Sequence, residues 1–153
     1  MVYGTYDIGT GTLAITDEDT GETQVINAQS GGKPWGDPIP TGEYDILDHP
    51  KSDFFRLEPR DDKYGDDKDE ATGRDKFRLH KPGRTIGCIA AKSKGPWDKL
   101  RDMIRQTKTT TTQVDSKSYN PFAPDKETIK NFGGLRVIDT SKMPIIPGVP
   151  PKP

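Results

Sequence analysis

The chain has 153 residues, with 23 Lys and Arg against 24 Asp and Glu, two His and a single Cys. That length suits one domain, because two would each be too small to bury a stable core. A net charge of −1 gives no electrostatic reason to expect a nucleic-acid or anionic-membrane surface. One Cys excludes an intrachain disulfide framework, and two His with one Cys exclude a closed Cys/His zinc site, so no metal and no cofactor is expected.

Only 29% of residues are hydrophobic while 31% are charged, which predicts a thin core, and 14 Pro with 16 Gly predict many turns. Two Trp, five Tyr and five Phe, together with stretches of clear alternation, argue for a folded, loop-rich domain rather than a disordered chain. No apolar run approaches the roughly 18 residues of a membrane span. The N-terminus, Met-Val-Tyr-Gly-Thr-Tyr-Asp, has neither a basic nor an apolar leader region. The expectation is a product made in the cytoplasm without a signal peptide, so any site of action outside it requires another route.

In chain order, Leu13 and Ile15 alternate with small and polar neighbours, a polar turn follows at residues 17–22, and Val25 and Ile26 resume the apolar pattern. Residues 12–27 therefore predict a hairpin. The glycine- and proline-rich stretch 31–40 is irregular and feeds a strand at 42–47. Two further strands are expected at 54–57 and at 77–80, where Phe77 and Leu79 share one face. Between them, residues 60–76 carry seven acids and five bases. The acidic run fails the EF-hand template, since Gly73 is seventh from Asp67 and no Glu is twelfth, so a solvated surface loop or a lid is expected.

One helix is expected at about 96–106, where Pro96 suits a first helical position and Trp97, Leu100, Met103 and Ile104 fall on one face. The β-branched run Thr107–Thr112 should end it. Residues 125–131 predict a short second helix ended by Gly133-Gly134, and 135–138 a late strand. The expected organisation is a mostly β domain over 1–143 and a proline-rich tail over 144–153, which holds five Pro.

The chemistry concentrates in Phe77-Arg78-Leu79-His80-Lys81-Pro82-Gly83-Arg84-Thr85-Ile86-Gly87-Cys88-Ile89. A thiol becomes a nucleophile when a base or a positive charge stands beside it, and His80 lies one turn away from Cys88. Gly87 gives the backbone freedom to aim its amide and that of Cys88 at a developing oxyanion. Arg84 adds positive potential for thiolate and for a substrate carboxylate. Arg78, two residues before His80 on the strand, is a second carboxylate-binding candidate or a solvated charge, as is Lys92. Tyr44 and Trp35 flank the Pro-Ile-Pro segment and either line a groove or pack in the core. His49 reads as a surface residue. Composition and spacing alone leave Cys88 open between a nucleophile and a small buried hydrophobe. Both histidines precede the cysteine, an order that disfavours a papain-type arrangement.

Histidine, a short turn and then Thr-Ile-Gly-Cys-Ile resembles the signature of L,D-transpeptidase catalytic domains, most nearly the short type VI secretion effectors that act on bacterial cell walls. Ala28-Gln29-Ser30-Gly31-Gly32 is similar to that family's small-residue-Ser-Gly turn. Asp37-Pro38-Ile39-Pro40-Thr41-Gly42-Glu43-Tyr44 is similar to its Gly-Pro-Ile-Pro-x-Gly-x-Tyr segment. The likeness covers about residues 3–105. It departs from conventional members at Ile86, where they carry a second histidine, at Lys81, where a glycine is common, and in the short interval from His80 to Cys88.

The resemblance implies a β-sheet or sandwich domain with one main helix. It also implies cysteine-dependent acyl transfer on peptidoglycan stem peptides, as L,D-carboxypeptidase or L,D-transpeptidase exchange through a thioester. Carried across, Cys88 would be the nucleophile, His80 the base and Thr85 the hydroxyl residue three before the cysteine; Gly87 as an oxyanion element and Arg84, Arg78 and Tyr44 toward substrate stay readings of the residues themselves. With no carboxylate to orient His80, a backbone carbonyl is left for that role. The implied context is an antibacterial toxin acting in the periplasm of a target bacterium, with a secretion apparatus and a cognate immunity protein as partners. The competing expectation is a β-rich binding or secretion-adaptor module in which Cys88 is inert.

Overall fold

The computed structural model describes residues 1–31, 36–116 and 121–142. Trp35, Gly32 and the proline-rich tail lie outside the described residues. The described chain is mostly β with one helix. Strands β1 (Val2–Asp7), β2 (Thr12–Asp17) and β3 (Thr23–Ser30) form an antiparallel meander. β4 (Gly42–Leu47), β5 (Phe54–Pro59) and β6 (Arg78–His80) form a second one, and β7 (Ile89–Ala91) joins the two by pairing with β3 and, in parallel, with β6. The helix α1 (Lys94–Gln106) leads to β8 (Thr110–Asp115) and the long β9 (Lys126–Ile138).

β9 decides the architecture. Its first half pairs with β8, and its second half pairs with β4 on one side and with β1, in parallel, on the other. The sheet thereby closes on itself into a barrel, with β8 as a flap. Closure requires close backbone approach. A Cβ on Gly133 would lie 1.7 Å from the Val2 carbonyl oxygen, and its φ of 143° is one that L side chains rarely adopt. The chain ends are tied again beyond the strands. Asp7 accepts from Gly9 N and Thr140 N at 2.9 and 3.0 Å and from the Thr140 hydroxyl at 2.7 Å. Burial pushes the Asp7 carboxyl up, but these bonds and one from Thr10 outweigh it and hold the group below the usual carboxylate range.

Strand registers sort the side chains by face. Val2, Tyr6, Leu13, Ile15, Ile26, Ala28, Tyr44, Ile46, Phe55, Leu57, Leu79, Ile89, Ala91, Leu135 and Val137 point inward and form one core. Trp97, Leu100, Met103 and Ile104 of α1 join it from β2, β3 and β7. The interior is therefore filled with apolar side chains. Phe54, Arg56, Glu58, Arg78, His80 and Ala90 take the outer face, yet Arg56, Glu58, His80 and Ala90 are buried there as well. The segment 60–76 covers that outer face.

The hairpin at 12–27, the strands at 42–47, 54–57 and 135–138, and the single amphipathic helix are as the sequence predicts. The helix starts two residues before Pro96, which the first turn tolerates because its backbone N–H groups have no intrahelical acceptor. Residues 125–131, expected as a second helix, lie instead in and beside β9, and Gly133-Gly134 sits in mid-strand. The polar run Lys-Glu-Thr-Ile-Lys-Asn has good helix formers, but the threonine strand β8 offers it a complete ladder from Thr110↔Asn131 to Asp115↔Lys126. The charged segment 60–76 is a largely exposed surface loop, as expected, but it is anchored at particular points. Lys68 bridges Asp75, Asp69 N donates to Arg74 O at 2.8 Å, and Asp67 is only 3% exposed.

Because a side chain at position 133 meets backbone on the facing strand, Gly133→Ala should destabilise the fold by about 3 kcal/mol or more. Urea unfolding would measure it. A midpoint within error of wild type would show that β1 and β9 do not close the sheet as described.

Candidate active site on the outer face of the barrel

The three sequence motifs meet at one place. Ser30, at the end of β3, donates its hydroxyl to Gly87 O at 3.2 Å and accepts from Ile39 N at 2.9 Å. It thus pins the Pro38–Pro40 segment to the turn before Cys88. Gly31 permits this, since a Cβ there would lie 2.5 Å from the Asp37 carbonyl. Tyr44 is 2% exposed, packs edge-on against Phe77 and donates its hydroxyl to Pro40 O at 2.6 Å. Of the two expectations for Tyr44, core packing holds and substrate contact does not: it supports the Pro-Ile-Pro segment from within.

The turn into β7 is locked by Thr85. Its buried hydroxyl accepts from Gly87 N at 3.1 Å and donates to the Cys88 carbonyl. Thr85 therefore shapes the backbone under the cysteine. The same bond corrects the oxyanion expectation for Gly87, because its amide is spent on Thr85. Glycine is required there for another reason. Its φ is 145°, and an added Cβ would lie 2.2 Å from a guanidinium nitrogen of Arg74.

Cys88 is half-buried in the wall of a cleft of about 330 Å³, lined by Arg74, Asp75, Lys76, Phe77, Ile86, Gly87 and Cys88 itself. Register places it with His80. Leu79 pairs with Ile89 and His80 with Ala90, so Cys88 falls alongside Arg78 and diagonal to His80 on the same outer face. Ala90 is directly opposite His80. The thiol itself donates to Lys76 O at 3.6 Å rather than to His80.

His80 is 7% exposed and stacks on its cross-strand partner Phe54 at 5.0 Å between ring centroids and 23° between planes. Its Nδ1 lies 2.7 Å from Lys81 O. A carbonyl only accepts, so Nδ1 carries the proton and Nε2 of the neutral ring is left as the acceptor. The expected backbone-carbonyl orienter is thus Lys81. Burial pushes the imidazole below its ordinary value, against the opposing effect of that hydrogen bond, and the Lys81 charge adds to the depression. Burial also pushes the Cys88 thiol up, while the Arg78 backbone N–H and the Arg78 and Arg74 charges pull it down and Asp67 raises it. The resting pair is neutral thiol and neutral imidazole.

The cations of the cleft are Arg74 and Lys76 rather than Arg84, which is exposed on the turn and does not line it. Arg74 donates to Pro38 O at 2.8 Å and Asp37 O at 3.0 Å and lies over the Phe77 ring. Arg78 does not present its guanidinium to the cleft. Asp67 takes it in two parallel bonds of 2.8 Å. Lys92 is exposed beyond β7. His49 is partly buried and tilts against Phe54 at 5.7 Å, so it is less of a surface residue than expected. Among the described residues no group of three or more His, Cys, Asp or Glu could hold a metal ion.

Arg74, Lys76 and Asp67 were missed from sequence because a charge run carries no periodicity to mark which members turn inward. A glycine directly before the cysteine signals a close neighbour, but it does not name Arg74 as that neighbour. Comparison of the chain with protein-family models, with curated proteins and with solved structures gives no match. Function is therefore read from the cleft.

The raised thiol has a signed consequence. At pH 8, Cys88 in the folded protein should react with iodoacetamide at least about threefold more slowly than in urea, because the thiolate fraction falls as the pKa rises. The native rate should keep climbing above the pH at which an ordinary thiol levels off. A native thiol as reactive as the unfolded one would contradict the burial described.

Proposed function

We propose that the protein is a cysteine-dependent acyl-transfer enzyme that acts on peptidoglycan stem peptides, as an L,D-carboxypeptidase or exchange enzyme. The observation that carries this reading is a histidine with its tautomer fixed by a backbone carbonyl, one strand over from a thiol in the wall of an open cleft. Supporting it, the three motifs that resemble L,D-transpeptidases converge on that cleft, although Thr85, Gly87 and Tyr44 serve its framework.

In the reaction, His80 Nε2 accepts the Cys88 proton as the sulfur attacks the carbonyl at the L-centre of the third stem residue. A tetrahedral oxyanion forms and collapses to a thioester, and the proton passes from His80 to the amine of the departing terminal D-alanine. Water then releases the acid, or an amine takes the acyl group, and the thiol is restored. Neutral imidazole is the form that can accept the proton, and its depressed pKa keeps it so below neutrality. Arg74 and Lys76 supply the positive charge for the oxyanion or for the substrate's terminal carboxylate. Delivery as a type VI secretion toxin, periplasmic action and an immunity partner belong to the same proposal through the family resemblance alone.

A second reading is favoured by one observation: the thiol bonds to Lys76 O and is pushed up by burial, as in an inert structural cysteine. The protein would then be a β-rich binding or adaptor module.

The two readings separate in one experiment. Purified peptidoglycan fragments are incubated with wild type and with Cys88→Ala and then weighed by mass spectrometry. Loss of one alanine from tetrapeptide stems, reduced at least about a thousandfold in the variant, is the expected result. Replacement of that alanine by added D-amino acid marks exchange. Unchanged fragments with a thiol that resists alkylation leave the binding module.

A further inference from the structure

Asp67 makes four kinds of contact at once. Its N–H lies 3.2 Å from both oxygens of Glu58, its carboxylate grips Arg78 in two bonds of 2.8 Å, and it stands 3.6 Å from Arg56 Nε. Its carbonyl accepts Lys76 N at 2.9 Å, and the Lys76 carbonyl in turn accepts the Cys88 thiol. Asp67 and Lys76 are the two non-glycine residues with positive φ among those described, 61° and 59°, so both ends of this link are held in an uncommon backbone state. Arg78, for its part, stands alongside Cys88 in the parallel register of β6 and β7.

We propose that Asp67 is a positioning residue of the cysteine site: it neutralises the Arg78 guanidinium beside Cys88 and holds the Lys76 carbonyl over the sulfur, so that the thiol of the empty cleft keeps its proton. This deepens the reading of Cys88 as the nucleophile and rests on it. The protein would carry an unreactive thiol until substrate enters between Lys76 and the sulfur and breaks their hydrogen bond. The charged groups that act on the thiol or line its cleft are Arg78 of β6 and Asp67, Arg74, Asp75 and Lys76 of the covering segment, and His80 stands one strand over, diagonal in register.

The test is the pH profile of iodoacetamide alkylation of Cys88 in wild type, Asp67→Asn and Arg78→Gln, each checked for folding by circular dichroism. Asp67→Asn leaves Arg78 uncompensated, so its midpoint should move to lower pH and its rate at pH 7.5 should rise about threefold to tenfold. Arg78→Gln should move the midpoint the other way. A purely structural role predicts shifts of the same sign, or none, and would overturn the proposal. The two singles are expected to move in opposite directions, and that difference in sign decides. If either fails to fold, the double variant Asp67→Asn/Arg78→Gln is read instead. Its two losses offset, so a midpoint within about half a pH unit of wild type is expected, and a displacement of a full unit overturns the proposal. Alkylation needs no peptide substrate. Predicted profiles with unprocessed peptidoglycan fragments would refute the enzyme reading alone, and wild-type-like profiles with processed fragments would refute this proposal alone.

Discussion

A closed sheet packed solid with apolar side chains has no interior room for a reaction. Everything polar that this barrel holds in place must therefore sit on its outer surface, where water competes for every hydrogen bond. The chain meets that constraint with the segment 60–76, laid over β5 and β6 so that an outward strand face becomes a second, polar interior. Cys88 gains its half-buried setting from this cover, whose Lys76 carbonyl accepts the thiol, while His80 is buried against Phe54. The cleft opens between the end of the cover and the turn at Ile86 and Gly87. A thiol and an imidazole on a bare strand would be solvated and mobile. Here they are fixed by two neighbouring strands and a turn.

The cover is held by ions where apolar contacts would ordinarily do the work. Buried Arg56, Glu58 and Asp67, with the partly buried Arg78, form a group of two cations and two anions. Such groups are expensive to desolvate, and burial pushes the Glu58 carboxyl above its ordinary range despite the Arg56 guanidinium against it. Removing one partner from a buried pair commonly costs about 3–5 kcal/mol, whereas an apolar replacement of the whole group is often tolerated. A thin-core protein that keeps the charged version gains something other than stability. Two guanidinium groups and two carboxylates fix the geometry of the covering segment by direction as well as distance, and Arg78 brings that segment to the strand beside the nucleophile.

Much of the frame was legible in the sequence, and the reason differs by element. The hairpin at 12–27 and the helix face Trp97, Leu100, Met103 and Ile104 show because each buries one side, which writes its period into the chain. β8 and the first half of β9 were not legible, since both faces of that flap are largely exposed and its polar residues carry no period. For the site, His80 and Cys88 could be paired by their neighbourhood to one turn. Thr85, Gly87 and Ser30 could be located but not understood, because their work is done through backbone atoms that the sequence does not describe. Asp67 was out of reach. One acid among seven turns inward, and it does so through the positions of Glu58 and Arg78, which are settled only when β5 and β6 have paired.

The latch between Asp7 and Thr140, with β1 lying parallel to β9, joins the first strand of the fold to the last. Contacts this distant in the chain form late, because loop closure must precede any reward for making them. During synthesis β1 can pair with β2 at once, but its other edge stays open until residues 133–138 have emerged. The growing chain therefore carries an unpaired strand edge from the emergence of β1 until that of the second half of β9, and arrest before that strand would leave an assembly-prone sheet rather than a shortened barrel.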